Sequence, residues 1–248
     1  MTVREIEFPG STGTRLVGRL HVPDDEARGS ILLAHCFTCS KDLHTMTRLA
    51  TGLTEAGYAV LRFDFTGLGE SPGEFTATTL AHDVRDLTAA ASALIERGYG
   101  PCGLLGHSLG GAASLLAAQR LRTVRSVVTL GAPSSPDHVR HLFDDPDGDG
   151  PTVSLQLGGR RFEVARSFLD DLATHDQADA IATLARPLLV MHAVHDEIVA
   201  VTEGERIFAG AKQPKAFYPL QGADHLLTDR TAAEAALRVI RHWFDTTL

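Results

Sequence analysis

The chain has 248 residues, 44% of them hydrophobic and spread along its whole length, so a sizeable core can be buried and extensive disorder is excluded. Its formal net charge is −8 with no basic run. That disfavours nucleic acid or an anionic membrane as partner, because nothing would neutralise phosphates.

Val3 to Phe8 and Arg15 to Val22 read as two strands joined by a turn over Gly10 to Thr14, an antiparallel edge. Ser30 to His35 is a short continuous apolar run, as in a strand buried on both faces. Helical periodicity over 44–56 ends at Gly57, and a second buried strand follows over Tyr58 to Phe65. After the turn TGLGESPG come a long amphipathic helix (Thr79 to Glu96), a strand (Cys102 to His107) and a helix (Ser108 to Leu121). Further strands are predicted at Val124 to Leu130, at Pro187 to Ala193 and at Lys215 to Tyr218, the last stopped by Pro219; Ala232 to Phe244 is a closing helix. This alternation predicts one α/β domain over 1–248, a mostly parallel sheet with helices on both faces. Residues 134–185 break it, with an acidic loop (Asp144 to Pro151), a hairpin (Val153 to Phe162) and a helix (Val164 to Leu172). They are expected to form a small cap over the edge of the sheet where ligands bind.

The N-terminus MTVREIEFPG has no apolar signal region, and the longest apolar runs are too short to span a bilayer. Cys36, Cys39 and Cys102 are an odd, small number, which argues against a disulfide framework and predicts a reducing, cytoplasmic setting.

Gly106-His107-Ser108-Leu109-Gly110 fits G-x-S-x-G between a strand and an Ala/Leu-rich helix. A serine there projects from a sharp turn, and side chains two residues to either side would clash. A serine hydroxyl needs a histidine to take its proton, and that histidine needs a carboxylate to orient it. Asp196 and His225 supply these in the chain order serine, acid, histidine, each in a loop after a predicted strand; Glu197 and Asp224 are neighbouring alternatives for the acid. The oxyanion donors are expected to be the backbone N–H of Leu109 and that of Phe37, with Cys36 as the neighbour that could substitute. His35, Cys36 and Cys39 lack a second ligand pair, so no metal and no cofactor are expected. Cys36-x-x-Cys39 reads as two small space-filling residues rather than a redox pair.

AHCFTCSKD, LRFDFTGLGESPGEF and GHSLGGAA resemble the α/β-hydrolase superfamily, and within it a bacterial group of small hydrolases often fused to an OsmC-like domain. The resemblance extends over nearly the whole chain. It implies the α/β-hydrolase fold, Ser108, Asp196 and His225 as a triad, Phe37 and Leu109 as oxyanion donors, and a structural turn over Asp64 to Ser71. Cys36 and Cys39 depart from the HGFTG loop of related esterases, and no OsmC-like domain is present here, so no peroxide-linked role carries over. The expected function is hydrolysis of small-molecule carboxylic esters through an acyl-enzyme on Ser108. Small or short-chain acyl groups are favoured, because 134–185 looks short and polar with few bulky apolar residues, although Phe143, Phe162 and Phe168 could still wall an acyl or aromatic group. Thioester, lactone or amide hydrolysis and acyl transfer are alternatives on the same residues; a non-catalytic binding module is the reading from another class. The oligomeric state is not legible.

Overall fold

The computed structural model describes residues 1–100, 102–157 and 160–248. In chain order, β1 (Thr2–Pro9), β2 (Arg15–Val22), β3 (Ser30–Ala34), α1 (His44–Glu55) and β4 (Ala59–Phe63) lead to α2 (Leu80–Glu96). Next come β5 (Cys102–His107), α3 (Leu109–Arg120) and β6 (Val124–Leu130). The stretch expected to break the alternation holds β7 (Phe143–Asp144), β8 (Thr152–Leu157), β9 (Arg160–Ala165), α4 (Arg166–Thr174) and α5 (Gln177–Thr183). The chain closes with β10 (Leu188–Ala193), α6 (Val201–Gly210), β11 (Lys215–Leu220) and α7 (Arg230–Thr247).

The main sheet has the order β1-β2-β4-β3-β5-β6-β10-β11 among the described residues. β1 and β2 pair antiparallel, β2 joins β4 antiparallel, and every later pairing is parallel. The central strands are apolar in continuous runs because both faces are covered. In β3, Leu32 packs into the layer that holds α2 and α3, while Ile31 and Leu33 pack into the layer that holds α1 and α7. α1 stops where Gly57, at φ 94°, turns the chain into β4, a left-handed position that glycine occupies at little cost.

Two boundaries differ from the sequence expectation. Pro219 does not end the last strand, which runs on to Leu220. β11 is an edge strand, so a residue without an N–H is tolerated there. Gln177–Thr183 is a second helix in the 134–185 stretch, capped by the Asp176 carboxylate on the Asp179 N–H. Within that stretch β7, β8 and β9 form a separate antiparallel sheet. The hairpin expected over 153–162 lies within it, and its turn at 158 and 159 lies outside the described residues. Phe143, Val153, Leu155, Phe168 and Leu172 join the same apolar core as α2 and α3, so the stretch is packed onto the main sheet.

Candidate active site

Ser108 stands between β5 and α3 with φ 54° and ψ −125°, a strained region for a residue with a side chain. Its N–H donates to the Leu130 carbonyl of β6 at 2.9 Å. The glycines around it are required by close approach. A Cβ on Gly106 would overlap the Gly110 carbonyl and the Ser114 hydroxyl; one on Gly110 would overlap the carbonyl oxygens of Ala34 and His35. The head of α3 therefore lies directly against the end of β3.

Asp196 follows β10, and its side chain is fully buried. Its Oδ2 lies 2.7 Å from His225 Nδ1, and its Oδ1 accepts the N–H groups of Ile198 and Val199, each at 2.9 Å. Burial alone would raise this carboxyl, but the bond from His225 and the two backbone donors hold it below its usual range. Of the two alternatives, Glu197 is exposed, and Asp224 is exposed and turned to the N–H and hydroxyl of Thr228. Ser108 and His225 line one cavity. Ser108 Oγ makes no hydrogen bond among the described residues, and such links commonly tighten only when a substrate arrives.

Two further histidines brace this arrangement. His107 is fully buried, and burial beside His225 pushes it down to about 3, so it is neutral. Its Nε2–H donates to the His225 carbonyl at 2.7 Å. His192, lowered by burial, places Nε2 2.8 Å from the Val199 carbonyl, just behind Asp196. From α1, Thr45 Oγ1 donates to the Leu226 carbonyl at 2.5 Å, fastening the loop that carries His225. Nothing in the spacing of Thr45 marked it for this role.

The loop after β3 carries a correction. Cys36 and Cys39, expected as unpaired space-filling residues, are joined by a disulfide with Cα atoms 5.3 Å apart. An odd total hid the pair, because Cys102 alone is left free and buried. Phe37, between them, stacks on Phe168 with centroids 4.9 Å apart, and Phe37 and Leu109 line the cavity with Ser108. Below the loop lies a charge cluster that the sequence did not reveal, buried at Lys41 and Asp64 and open to solvent at Asp42 and Glu70. Lys41 has no exposed side-chain surface and contacts Asp64 at 2.7 Å, Glu70 at 2.5 Å and Asp42 at 3.2 Å. Burial opposes its charge, but these three carboxylates outweigh that and raise its pKa.

The cavity has a volume of about 680 Å³, within the range of roughly 300–1,000 Å³ usual for small-molecule sites. Residues 134–185 contribute Val139, Leu142, Phe143, Leu155, Leu157 and Phe162 to its wall; of the three phenylalanines expected there, Phe143 and Phe162 line it, and the aliphatic residues were not foreseen. Asp42 is the one acidic residue on that wall among the described residues, and Arg62 neutralises it at 2.6 Å. Among the described residues no group of three or more His, Cys, Asp and Glu could hold a metal ion.

Residues 25–143 match the family described as serine aminopeptidase, S33. Among solved structures, the esterase domain of a Rhodothermus marinus protein is 41% identical, covers 98% of each chain and superposes with a TM-score of 0.82. Est1E from Butyrivibrio proteoclasticus, solved with ferulic acid bound, is 21% identical over 97% of this chain and 98% of its own, with a TM-score of 0.86. An uncharacterised Mycobacterium tuberculosis protein is 27% identical over 96% of this chain and 79% of its own.

Proposed function

The chain belongs to the α/β-hydrolase superfamily, and from that premise we propose that it is a serine carboxylesterase whose nucleophile is Ser108. The observation that carries this reading is the strained Ser108 at the head of α3, on one cavity with a His225 whose far nitrogen is bonded to Asp196. The similarity to a domain named an esterase supports ester as the substrate class.

In this mechanism Ser108 Oγ attacks the ester carbonyl as His225 Nε2 takes its proton. Asp196 keeps the His225 proton on Nδ1 and stabilises the imidazolium. The oxyanion is held by the N–H groups of Leu109 and Phe37. Collapse expels the alcohol, which receives the proton from His225. Water then enters, gives its proton to His225 and releases the acid from the acyl-enzyme.

The acyl group is small or compact, apolar or aromatic, to suit a wall built from Phe37, Phe143, Phe162 and leucines. Ester is favoured over an aminopeptidase substrate because binding a free amino terminus calls for an available carboxylate. Asp42 is already held by Arg62 and Lys41. Residues 134–185 act as a cap whose base is fixed by Glu203 to Ser134 and by Gln177 to the Pro133 carbonyl. The cytoplasmic setting belongs to this proposal; among the described residues no helix is long and apolar enough to cross a membrane.

The test is a burst of p-nitrophenol from p-nitrophenyl acetate, with mass spectrometry of the trapped enzyme. One acetyl group on the peptide holding Ser108 is expected. Acylation elsewhere, or turnover with Ser108→Ala equal to wild type, would refute the assignment.

A further inference from the structure

The Cys36–Phe37 peptide is the unit whose N–H is assigned to the oxyanion. Its carbonyl end is held twice: by His35 Nδ1 at 2.8 Å and by the Cys39 N–H at 3.1 Å. The peptide is trans and planar, so fixing the carbonyl also fixes the N–H, which points the opposite way. His35 is lowered by burial and neutral, with its Nε2 facing the Phe65 N–H, so its Nδ1 carries the proton that it donates.

The Cys39 N–H reaches the Cys36 carbonyl because the chain reverses at Phe37 and Thr38. Thr38 takes φ 61° to do so. That left-handed region is avoided by β-branched residues, and such strain persists only where the surroundings over-determine it. The disulfide closes these same four residues, and both of its cysteines lie on the cavity wall.

We propose that the Cys36–Cys39 disulfide is a positioning element of the oxyanion hole: it holds the strained turn that aims the Phe37 N–H, so full turnover requires the oxidised loop. This rests on the serine-esterase reading and on Phe37 as a donor. When a dithiol reduces the loop, two electrons and two protons pass to the two sulfurs, the Cys36–Cys39 bond breaks, and the dithiol closes to its own disulfide. Thr38 can then relax to negative φ, the Cys39 N–H leaves the Cys36 carbonyl, and the donor turns away from the substrate. Cys39 is half-buried and borders the cavity, so a small thiol can reach it. Cys102 does not compete for exchange, since it is fully buried and burial pushes its thiol up to about 11. In a reducing compartment a disulfide of this kind is transient or redox-sensing, so ester turnover would follow the thiol–disulfide balance around the enzyme.

The experiment compares the air-oxidised enzyme with enzyme reduced by dithiothreitol and desalted anaerobically. Thiols are counted in denaturant with Ellman's reagent, and kcat and KM are measured on p-nitrophenyl butyrate. One thiol, that of Cys102, is expected in the oxidised enzyme and all three cysteines in the reduced one. On reduction kcat should fall by about 10- to 10³-fold, the upper end being the loss of one oxyanion donor, while KM changes by less than about threefold. Oxidised glutathione should restore it. The double variant Cys36→Ser/Cys39→Ser should start at the low kcat and ignore dithiothreitol. Equal kcat in the two forms would overturn the proposal. So would three thiols in the oxidised enzyme, or loss of the circular dichroism of the fold on reduction, which would make the disulfide a stabilising staple only. Absence of turnover by the oxidised enzyme on every ester would instead overturn the esterase assignment, and this proposal with it.

Discussion

Lowering the pH from 7 to 5 should destabilise this protein through His107, which the fold holds neutral. In the unfolded chain His107 takes a proton near its ordinary value of 6.5; in the fold, burial beside His225 delays that to about 3. Below 6.5 the unfolded state therefore binds the extra proton, and stability drops as the pH falls towards the folded value. With 1.36 kcal/mol per unit, these two values give a loss of about 2 kcal/mol between pH 7 and pH 5 from His107 alone. His21, His35 and His192 are also lowered by burial and add to the wild-type slope. The variant His107→Gln isolates the contribution of His107, because its amide can still donate to the His225 carbonyl but cannot titrate. Urea unfolding of both proteins at pH 7, 6 and 5 is the assay. His107→Gln should lose about 2 kcal/mol less than wild type over that range. Parallel losses in the two proteins would show that His107 charges readily in the fold, and would refute the reasoning.

Asp196→Asn should lower kcat by about 10³-fold or more with the fold intact, while Asp224→Asn stays near wild type, because the first removes the orienting carboxylate of His225 and the second does not. Steady-state kinetics on p-nitrophenyl butyrate decide it, and the reverse pattern would move the acid to Asp224. Gly110→Ala should cost about 1–3 kcal/mol in urea unfolding through overpacking against the carbonyls of Ala34 and His35. Its kcat should fall by about 10²-fold, since α3 and the Phe37 loop are forced apart. An unchanged kcat would mean that the two proposed donors are not set by this contact.

The sheet was legible, and the three residues proposed as the triad could be singled out, because each rests on a local pattern. Strands buried on both faces are apolar without interruption, and the turn around Ser108 needs its glycines wherever it occurs. Asp196 and His225 were assigned by chain order and by their position after strands, and the fold brings them to 2.7 Å of each other. What escaped depends on partners remote in sequence. A lysine reads as solvated, and Lys41 is buried only because Asp64 and Glu70, more than twenty residues on, come to meet it. The polar look of 134–185 misled for a different reason. Val153, Leu155 and Leu157 alternate with Thr152, Ser154 and Gln156, so one face of β8 is apolar whatever the average composition. Phe168, expected as a possible wall residue, instead stacks behind Phe37, a contact that only the placement of α4 creates.

The buried Lys41–Asp64 pair and the strained backbone belong together. Ser108 and Thr38 both have positive φ without being glycine, and each is the immediate neighbour of a proposed oxyanion donor, Leu109 or Phe37. On the Ser108 side, the Leu130 carbonyl and the packing of Gly106 and Gly110 hold the strain. On the Thr38 side, the loop is tied by the disulfide, by His35 on the Cys36 carbonyl and by the Lys41 N–H on Asp64. A buried ion pair contributes little net stability, because desolvation offsets most of the attraction. Asp64 does more than pair with an ammonium. Its Oδ1 accepts the Lys41 backbone N–H at 2.6 Å and its Oδ2 the Glu70 N–H at 2.9 Å, locking the end of the 35–42 loop to the turn after β4. Gly69, at φ 53°, is held so close that a Cβ would overlap that carboxylate. Replacing this pair with apolar side chains could leave the protein as stable, yet it would remove the backbone donors' shared acceptor. The charge is buried at this place because two loops must be held in register there, and hydrophobic packing, which is non-directional, does not fix the orientation of a peptide N–H.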